Sequence, residues 1–466
     1  MGTVLDPVQA GLDTANDIVW GPFLLIPLLL LTGLWLTVAL RGLQFRQFGY
    51  AMWLALVKRK EEGAEGDITH YQALTTALAA TIGVGNIAGV ATAIFFGGPG
   101  AVLWMWVTGL LGMATKYSEA FLGVRFRRVD AKGEQSGGPM FYLSAGIKGP
   151  LGKVLGTSFA IFAAIAAFGI GNMVQANTVA DSVSDQFGIA PVLTGIVLMV
   201  GAGAVILGGI KAIGRFTAAF VPFMAILYVF GALWVIIANL DAVPGAISMI
   251  FTDAFTGTAA SGGFLGAAVA QAIRFGVARG IFSNESGLGT GGIAAAAAQT
   301  SNPARQALVS MTQTFIDTLV VVSFTALAIL TTGAWTSGER GATMTILAFS
   351  EGLPGNWGGY IVAISVAFFA FSTILGWGYF GERSMDYLIG RSAVTPYRII
   401  FVLLIFVGAT QELVVVWTFA DVMNGLMALP NLIGLLLLSG LVWRETKQYM
   451  ADPDWRLTKA SSSAKK

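Results

Sequence analysis

The chain has 466 residues, 55% of them hydrophobic and only 11% charged, with a mean hydropathy of +0.74. A soluble domain carries roughly twice that charge, so this composition excludes an ordinary water-soluble protein and marks a polytopic membrane protein. The net charge of +2 comes from basic residues spread through connecting loops, which bears on topology and argues against nucleic acid as a partner.

Residues 1–17 carry Asp6, Asp13 and Asp17 and no Lys or Arg, the wrong sign for the first region of a cleavable signal. They read as an extracellular N-terminus. Segment 18–40 is apolar and long enough to span a bilayer. Arg41, Arg46, Lys58, Arg59 and Lys60 follow it, so the positive-inside rule puts the N-terminus outside and the 41–69 loop in the cytoplasm. The single histidine, His70, reads as a loop or helix-end residue. With no cysteine and one histidine, disulfides, thiol nucleophiles, thiolate metal sites and zinc or histidine relays are excluded.

Further spans are predicted at 71–96, 99–124, 155–182, 191–209, 214–238, 264–298, 305–332, 357–381 and 396–410, with a last apolar region at 413–445. Arg125, Arg127, Arg128, Lys132, Lys148 and Lys153 share one predicted cytoplasmic loop. Lys211 with Arg215, then Arg305, then Arg383, Arg391 and Arg398 occupy others. Predicted outside loops hold Asp181, Asp185, Asp241, Asp253 and Glu412, with Arg340 as the basic exception. Pro430 either kinks one helix or sits in a turn between two. The basic residues Arg444, Lys447, Arg456, Lys459, Lys465 and Lys466 favour a cytoplasmic C-terminus. One kinked helix meets that requirement and makes eleven spans. Residues 448–466 read as a polar, disordered cytoplasmic tail.

Two spans are interrupted. Residues 81–89 read TIGVGNIAG, and residues 279–292 read RGIFSNESGLGTGG inside a run too long and too Gly-rich for one regular helix. Both put Gly, Asn and small hydroxyl residues in mid-membrane. They lie an odd number of spans apart, so they run through the bilayer in opposite directions. Broken helices in corresponding, inverted positions point to the binding site of a secondary transporter. Unwound backbone in hydrocarbon costs several kcal/mol per unpaired group. Such a break is expected to line a cavity whose N–H groups suit a carboxylate and whose carbonyls suit a cation or an ammonium group. The competing explanation for any single Gly is close helix packing.

The stretch GGPGAVLWMWVTGLLG at 97–112 resembles the signature of the alanine or glycine:cation symporters, the sodium:alanine symporter family, with Leu103 where that pattern prefers Phe. RGIFSNESGLGTGG is similar to the family's second broken helix. The resemblance implies an all-α, LeuT-like fold of two inverted five-helix repeats, 71–238 and 264–445, with 18–40 as an extra transmembrane helix. GVGNIAG also resembles the Gly-x-Gly-Asn break of LeuT-like neurotransmitter symporters. By that likeness, Gly83 belongs to the break, and the amides of Val84 and Gly85 meet the substrate carboxylate. Thr81 and Asn86 offer oxygens to substrate or ion, and Ser283 and Asn284 face the amino group.

Ser372 and Thr373 are adjacent hydroxyls in the eighth core helix, which in this fold contributes to a Na⁺ site; back-bonding to the helix is the alternative. Trp377, four residues after Thr373, shares its helix face and either caps the pocket or belongs to the interfacial belt. Gln175 and Asn172 line the cavity or bond across helices. Phe168 is an aromatic wall or a core residue. Ionisable groups within membranes mark function by default. Glu119 reads as a structural partner for an Arg. Asp317, one turn after Gln313, either neutralises an ion or pairs with Arg274 or Arg279. Glu285 is a gate, a counter-charge to Arg279 or a proton site.

These features imply symport of alanine or glycine with Na⁺ at the cell membrane. A hard cation fits the neutral oxygens of Thr81, Asn86, Ser372 and Thr373. No G-x-x-x-x-G-K-[ST] pattern occurs, which argues against ATP drive. Coupling to protons through Glu285 is the alternative. A channel would more often show repeated pore loops or charged rings. An intramembrane metal or thiol protease lacks its residues here. Nothing in the sequence speaks to oligomeric state.

Overall fold

The computed structural model describes residues 5–21, 23–61, 63–256, 265–355, 357–411 and 414–456. Among the described residues the regular structure is helical apart from a short hairpin pairing Arg128–Val129 with Gln135–Ser136 and an isolated bridge between Ile68 and Ala298. The helices that position the site are α1 Leu5–Val19, α2 Leu25–Ala39, α3 His70–Thr81, α4 Ala88–Gly97, α5 Ala101–Arg125, α6 Pro150–Phe168, α7 Val174–Phe187, α8 Pro191–Ile206 and α9 Gly209–Ala238. They continue as α10 Val243–Thr256, α11 Leu265–Asn284, α12 Thr290–Ala296, α13 Pro303–Thr314, α14 Ser323–Thr332, α15 Gly341–Gly352, α16 Gly358–Ile389, α17 Val394–Thr410 and α18 Val414–Ala451. Among the described residues, six helical stretches are long and apolar enough to cross a membrane. The protein is therefore a multi-pass membrane protein.

Two long stretches carry π-helical turns, Gly169–Met173 between α6 and α7 and Phe315–Val322 between α13 and α14. Such turns shift the facing of the residues in them and recur at functional sites. α3 begins with a reciprocal cap: the Thr69 hydroxyl accepts the Gln72 N–H, and the Gln72 side chain accepts the Thr69 N–H. This is the Thr-x-x-Gln signature of a helix start.

The two interrupted segments are broken helices. α3 and α4 are separated by 82–87, and α11 and α12 by 285–289. α3 packs on α12 while α4 packs on α11, so the broken helices lie side by side and run in opposite directions. At one end they are tied together by backbone: Asp67 N–H donates to Ala297 O, Gln299 N–H to Ile68 O and Thr300 N–H to Glu65 O.

Several boundaries differ from expectation. The predicted span 18–40 divides near Trp20, because Gly21-Pro22 stops a helix; α2 starts at Leu25, and residues 5–19 form a separate helix. The connections after α9 and α14 contain helices α10 and α15, which were not predicted. Pro430 lies inside the single helix α18. The expected disordered tail is ordered through Arg456. Trp455 packs edge-on against Tyr50 and Tyr449, and its carbonyl accepts Arg305 Nη2 at 2.9 Å. Those half-buried ring contacts outweigh the polarity of the neighbouring residues. Glu412, Lys459, Lys465 and Lys466 lie outside the described residues.

Candidate transport site

The first break offers backbone groups in two directions. Gly83 N–H donates to Asn86 Oδ1 at 3.0 Å, so the Asn side chain caps the 3₁₀ turn Val84–Asn86. Val84 N–H donates to Gln175 Oε1 at 3.3 Å. On one side, Ser372 Oγ donates to Ala79 O at 3.1 Å and lies 3.5 Å from Ile82 O, while also reaching Phe369 O at 2.8 Å. Thr373 Oγ1 donates to Ala79 O at 3.1 Å. Three carbonyls and two hydroxyls thus converge where α3 ends against α16, all buried. The expected back-bond from Ser372 exists, and so does the contact to the break.

On the other side stands Asp317, carried by a π-helical turn and fully buried. Asn86 Nδ2 donates to its Oδ1 at 2.8 Å, and Ser283 Oγ and Thr318 Oγ1 donate to its Oδ2 at 2.8 and 2.9 Å. Asn284 Nδ2 donates to Thr318 Oγ1, and Gln313 Nε2 donates to Thr81 Oγ1 and Asn284 O. One carboxylate therefore joins both breaks.

The second break is held by an ion pair within the protein. Glu119 Oε1 accepts N–H bonds from Gly287, Gly289 and Asn431 Nδ2, each at 2.9 Å. Lys116 Nζ lies 3.9 Å from the other Glu119 oxygen and donates to Glu285 O at 3.2 Å. All three side chains are buried. Each free N–H in the break would otherwise be an unpaired group in low dielectric. Glu285 adopts a left-handed backbone, φ +56°, which is uncommon for a residue with a side chain. Its carboxylate accepts Trp377 Nε1 at 2.7 Å and Thr290 Oγ1 at 2.6 Å.

A small cavity lies between the two breaks. It is lined by Thr81, Gly83, Gly85, Gln175, Thr373 and Trp377 from the predicted set, with Glu285, and with Phe282 and Leu288 as apolar wall. Two glycines make this possible by close approach. A Cβ on Gly85 would lie 2.9 Å from the Phe282 ring, and one on Gly171 would lie 2.2 Å from Trp377 Cβ. The indole is therefore wedged between the backbone of the Gly169–Met173 turn and the Glu285 carboxylate, with its ring facing the cavity.

The structure thus divides the predicted residues. Val84, Asn86, Ser283 and Asn284 do not line the cavity. The Val84 amide, expected to meet a carboxylate, is engaged by Gln175, and the other three side chains turn toward Asp317 and Thr318. The predicted ion set also separates: Ser372 and Thr373 meet carbonyls of α3, whereas Thr81 Oγ1 donates back to Ala77 O and Asn86 faces Asp317. Arg274 pairs with Asp17 and Arg279 with Asp421, so neither serves Asp317 or Glu285. Glu119 has Lys116 as its cation where an Arg was expected. Asn172 bonds across helices to Phe401 O at 2.6 Å. Phe168 packs on Tyr397 and Phe401, away from the cavity. Lys116, Asn431 and the Ala79, Ile82 and Phe369 carbonyls were missed. Lys-x-x-Glu in the middle of an apolar helix was a legible signal for the first; backbone carbonyls have none.

Both ends of the site are closed by polar contacts. Toward α1, the Arg279 guanidinium sits 5.3 Å from the Phe282 ring and 3.2 Å from Asp421, whose carbonyl accepts Trp20 Nε1 at 2.9 Å. At the opposite end, buried Glu61 binds Ser301 Oγ and lies 3.3 Å from His70 Nε2; His70 Nδ1 contacts Gln306. Burial opposes the charge on Glu61, but hydrogen bonds from His70 and Ser301 and the Arg305 charge prevail and lower its pKa to about 2. A depressed carboxylate stabilises the fold above its unfolded pKa of about 4.3 and loses that contribution as pH falls toward the folded value. Melting curves of wild type and Glu61→Gln are expected to differ by a constant margin from pH 7 to 5 and to converge below pH 4. A gap that widens on acidification would contradict this assignment.

A model of the sodium:alanine symporter family matches residues 5–462. The chain is 52% identical to the sodium/alanine symporter AgcS of Methanococcus maripaludis, covering 94% of this chain and 96% of that one. It is 36% identical to a probable sodium/glutamine symporter, GlnT, of Bacillus subtilis, covering 93% of this chain and 89% of that one. Its fold is similar to the crystal structure of MhsT in complex with L-phenylalanine, a LeuT-like structure, with a TM-score of 0.57 at 13% identity, over 83% of this chain and 99% of that one. A buried cavity between two opposed broken helices, and a family match along nearly the whole sequence, have one reading: the chain is an amino-acid transporter and belongs to the sodium:alanine symporter family.

Proposed function

We propose that this transporter carries alanine or glycine together with Na⁺ by alternating access. The observation that carries the proposal is the cluster of Ala79 O, Ile82 O, Phe369 O, Ser372 Oγ and Thr373 Oγ1. Neutral oxygens from two elements, without a carboxylate, suit a hard monovalent cation. An ion there would replace the hydroxyl-to-carbonyl bonds and draw the end of α3 against α16. Thr373 and Gly83 also line the cavity, so ion and substrate would share a wall, which is the coupling the mechanism needs.

The substrate reading rests on size and polarity. Trp377, Phe282 and Leu288 enclose a cavity of about 10 Å³, closed to about the size of one water, and their bulk would leave room only for a short side chain when the site opens. The Gly85 N–H, and Gln175 Nε2 on leaving Ile170 O, would donate to the carboxylate, and Glu285 would accept from the ammonium group. The Asp317 cluster, which already ties Asn86 to Ser283, is a second candidate cation locus. Because both breaks meet there, neutralising it would favour their joint closure.

The opposed broken helices fit two inverted five-helix repeats, α3–α9 and α11–α18, preceded by α2, for eleven spans. The basic loops support a reading with α1 outside and the C-terminus in the cytoplasm. Arg279–Asp421 over Phe282 would then form the outer closure, and the 65–68 to 297–300 contacts the inner one. Glu285 keeps proton coupling as the second reading, because its carboxylate lines the cavity itself.

Labelled alanine uptake into proteoliposomes tests this. Accumulation is expected only with inward Na⁺, with glycine competing and glutamine not. Uptake driven equally by a pH gradient without Na⁺ would favour Glu285 protonation. Uptake indifferent to both would reject coupled transport. Asn86→Ala is expected to raise the Na⁺ or alanine requirement about tenfold, equivalent to ~1.4 kcal/mol; unchanged kinetics would reduce Asn86 to a packing role.

A further inference from the structure

Where α2 ends beside the last turns of α18, a cleft of about 270 Å³ opens, lined by Arg41, Arg46 and Lys447 together with Leu43, Trp443 and Met450. No Asp or Glu lines it. All three cations are exposed, and among the described residues none has a carboxylate partner. Arg46 Nη1 makes one long bond, 3.4 Å, to Arg41 O. Lys447 Nζ lies over the Trp443 ring. Glu445, the nearest acid along α18, is engaged by Arg125 at 3.0 Å. A fourth cation stands behind: Arg456 Nη2 donates to Gln47 Oε1, and Gln47 borders the cleft. Arg41 is held at φ +57°, a left-handed conformation that residues with side chains seldom adopt.

We infer that this cleft binds the head group of an anionic phospholipid. Its volume lies just under the range of drug-sized pockets, roughly 300–1,000 Å³, and suits a phosphate with its glycerol. Three cations converging without a carboxylate match that phosphate, since Arg forks chelate its oxygens and Lys adds a point charge. Basic pockets between transmembrane helices at the membrane boundary are recognised lipid sites. A lipid is favoured over free phosphate by the apolar wall. Val38 and Leu437, on the outward faces of the two helices, are 64% and 57% exposed, so acyl chains can continue along α2 and α18 from a head group held in the cleft. This site is independent of the transported substrate and stands whichever amino acid is carried.

The test uses the full chain in phosphatidylcholine nanodiscs with and without phosphatidylglycerol, reading the unfolding midpoint and the lipids retained in native mass spectrometry. Phosphatidylglycerol is expected to raise the wild-type midpoint by several degrees and to remain bound. Arg41→Gln/Arg46→Gln/Lys447→Gln should lose both effects, while Lys132→Gln/Lys148→Gln/Lys153→Gln, which removes equal charge elsewhere, should keep them. If the first triple variant does not fold, Lys447→Gln alone should lower the gain and the retained lipid. Equal losses in both triples, or an equal gain from glycerol phosphate added to phosphatidylcholine discs, would overturn the inference.

Discussion

Glu119→Ala is expected to abolish or severely reduce folded protein, at a cost of about 3–5 kcal/mol, the range for breaking a buried ion pair from one side. The change leaves two backbone donors without an acceptor and takes one acceptor from two side chains, Asn431 keeping Gly287 O and Lys116 keeping Glu285 O. Gly287 N–H, Gly289 N–H and Asn431 Nδ2 lose their common acceptor, and Lys116 keeps only the Glu285 carbonyl and no counter-charge. No water in the hydrocarbon layer replaces them. Glu119→Gln should be milder, because one amide oxygen can still accept, but it leaves Lys116 uncompensated. Thermal melting in detergent or nanodiscs measures this, with Lys116→Met/Glu119→Met as the control. If the two charges balance mainly each other, the double variant should melt closer to wild type than Glu119→Ala does. A Glu119→Ala protein that melts with wild type would show that the second break is held by something else.

The other large effect concerns the ion. Ser372→Ala/Thr373→Ala removes both hydroxyls from the five-oxygen cluster and leaves the Ala79 and Ile82 carbonyls facing methyl groups. Apparent Na⁺ affinity is expected to fall at least tenfold per lost ligand, about 2.8 kcal/mol for the pair at 1.4 kcal/mol per decade. The uptake maximum at saturating Na⁺ should fall less. Thr373→Ser, which keeps the oxygen, should stay near wild type, whereas Thr373→Val, which keeps the shape, should behave as Thr373→Ala does. Na⁺ titrations of alanine uptake separate these cases. Normal Na⁺ dependence in the double variant would remove α16 from the ion site and shift attention to Asp317.

Much of the protein was legible along the chain. That the chain is a multi-pass membrane protein follows from composition and hydropathy alone, since a bilayer admits only long apolar helices or closed barrels. The breaks at 81–89 and 279–292 were visible because Gly and Asn are costly inside an apolar helix and need a reason to be there. Thr81, Gly83, Gly85, Gln175, Thr373 and Trp377, all singled out along the chain, line one cavity.

The facing of residues at the breaks was not legible. Successive residues point about 100° apart on a helix, and unwinding destroys even that rule, so Ser283 and Asn284 could be placed at the break but not toward Asp317. Nor do carbonyls leave a trace: every residue has one, and only packing against Ser372 and Thr373 singles out those of Ala79 and Ile82. The partner of Glu119 depended on which helices meet, since Asn431 lies 312 positions away.

By itself, the sequence determined the solvent, because hydropathy is a sum over residues, and it determined where regular helix is abandoned, because propensity is local. Tertiary structure alone decided which groups satisfy the abandoned backbone. Hydrogen bonds and ion pairs depend on position to within a fraction of an ångström, and that is fixed only when distant helices pack.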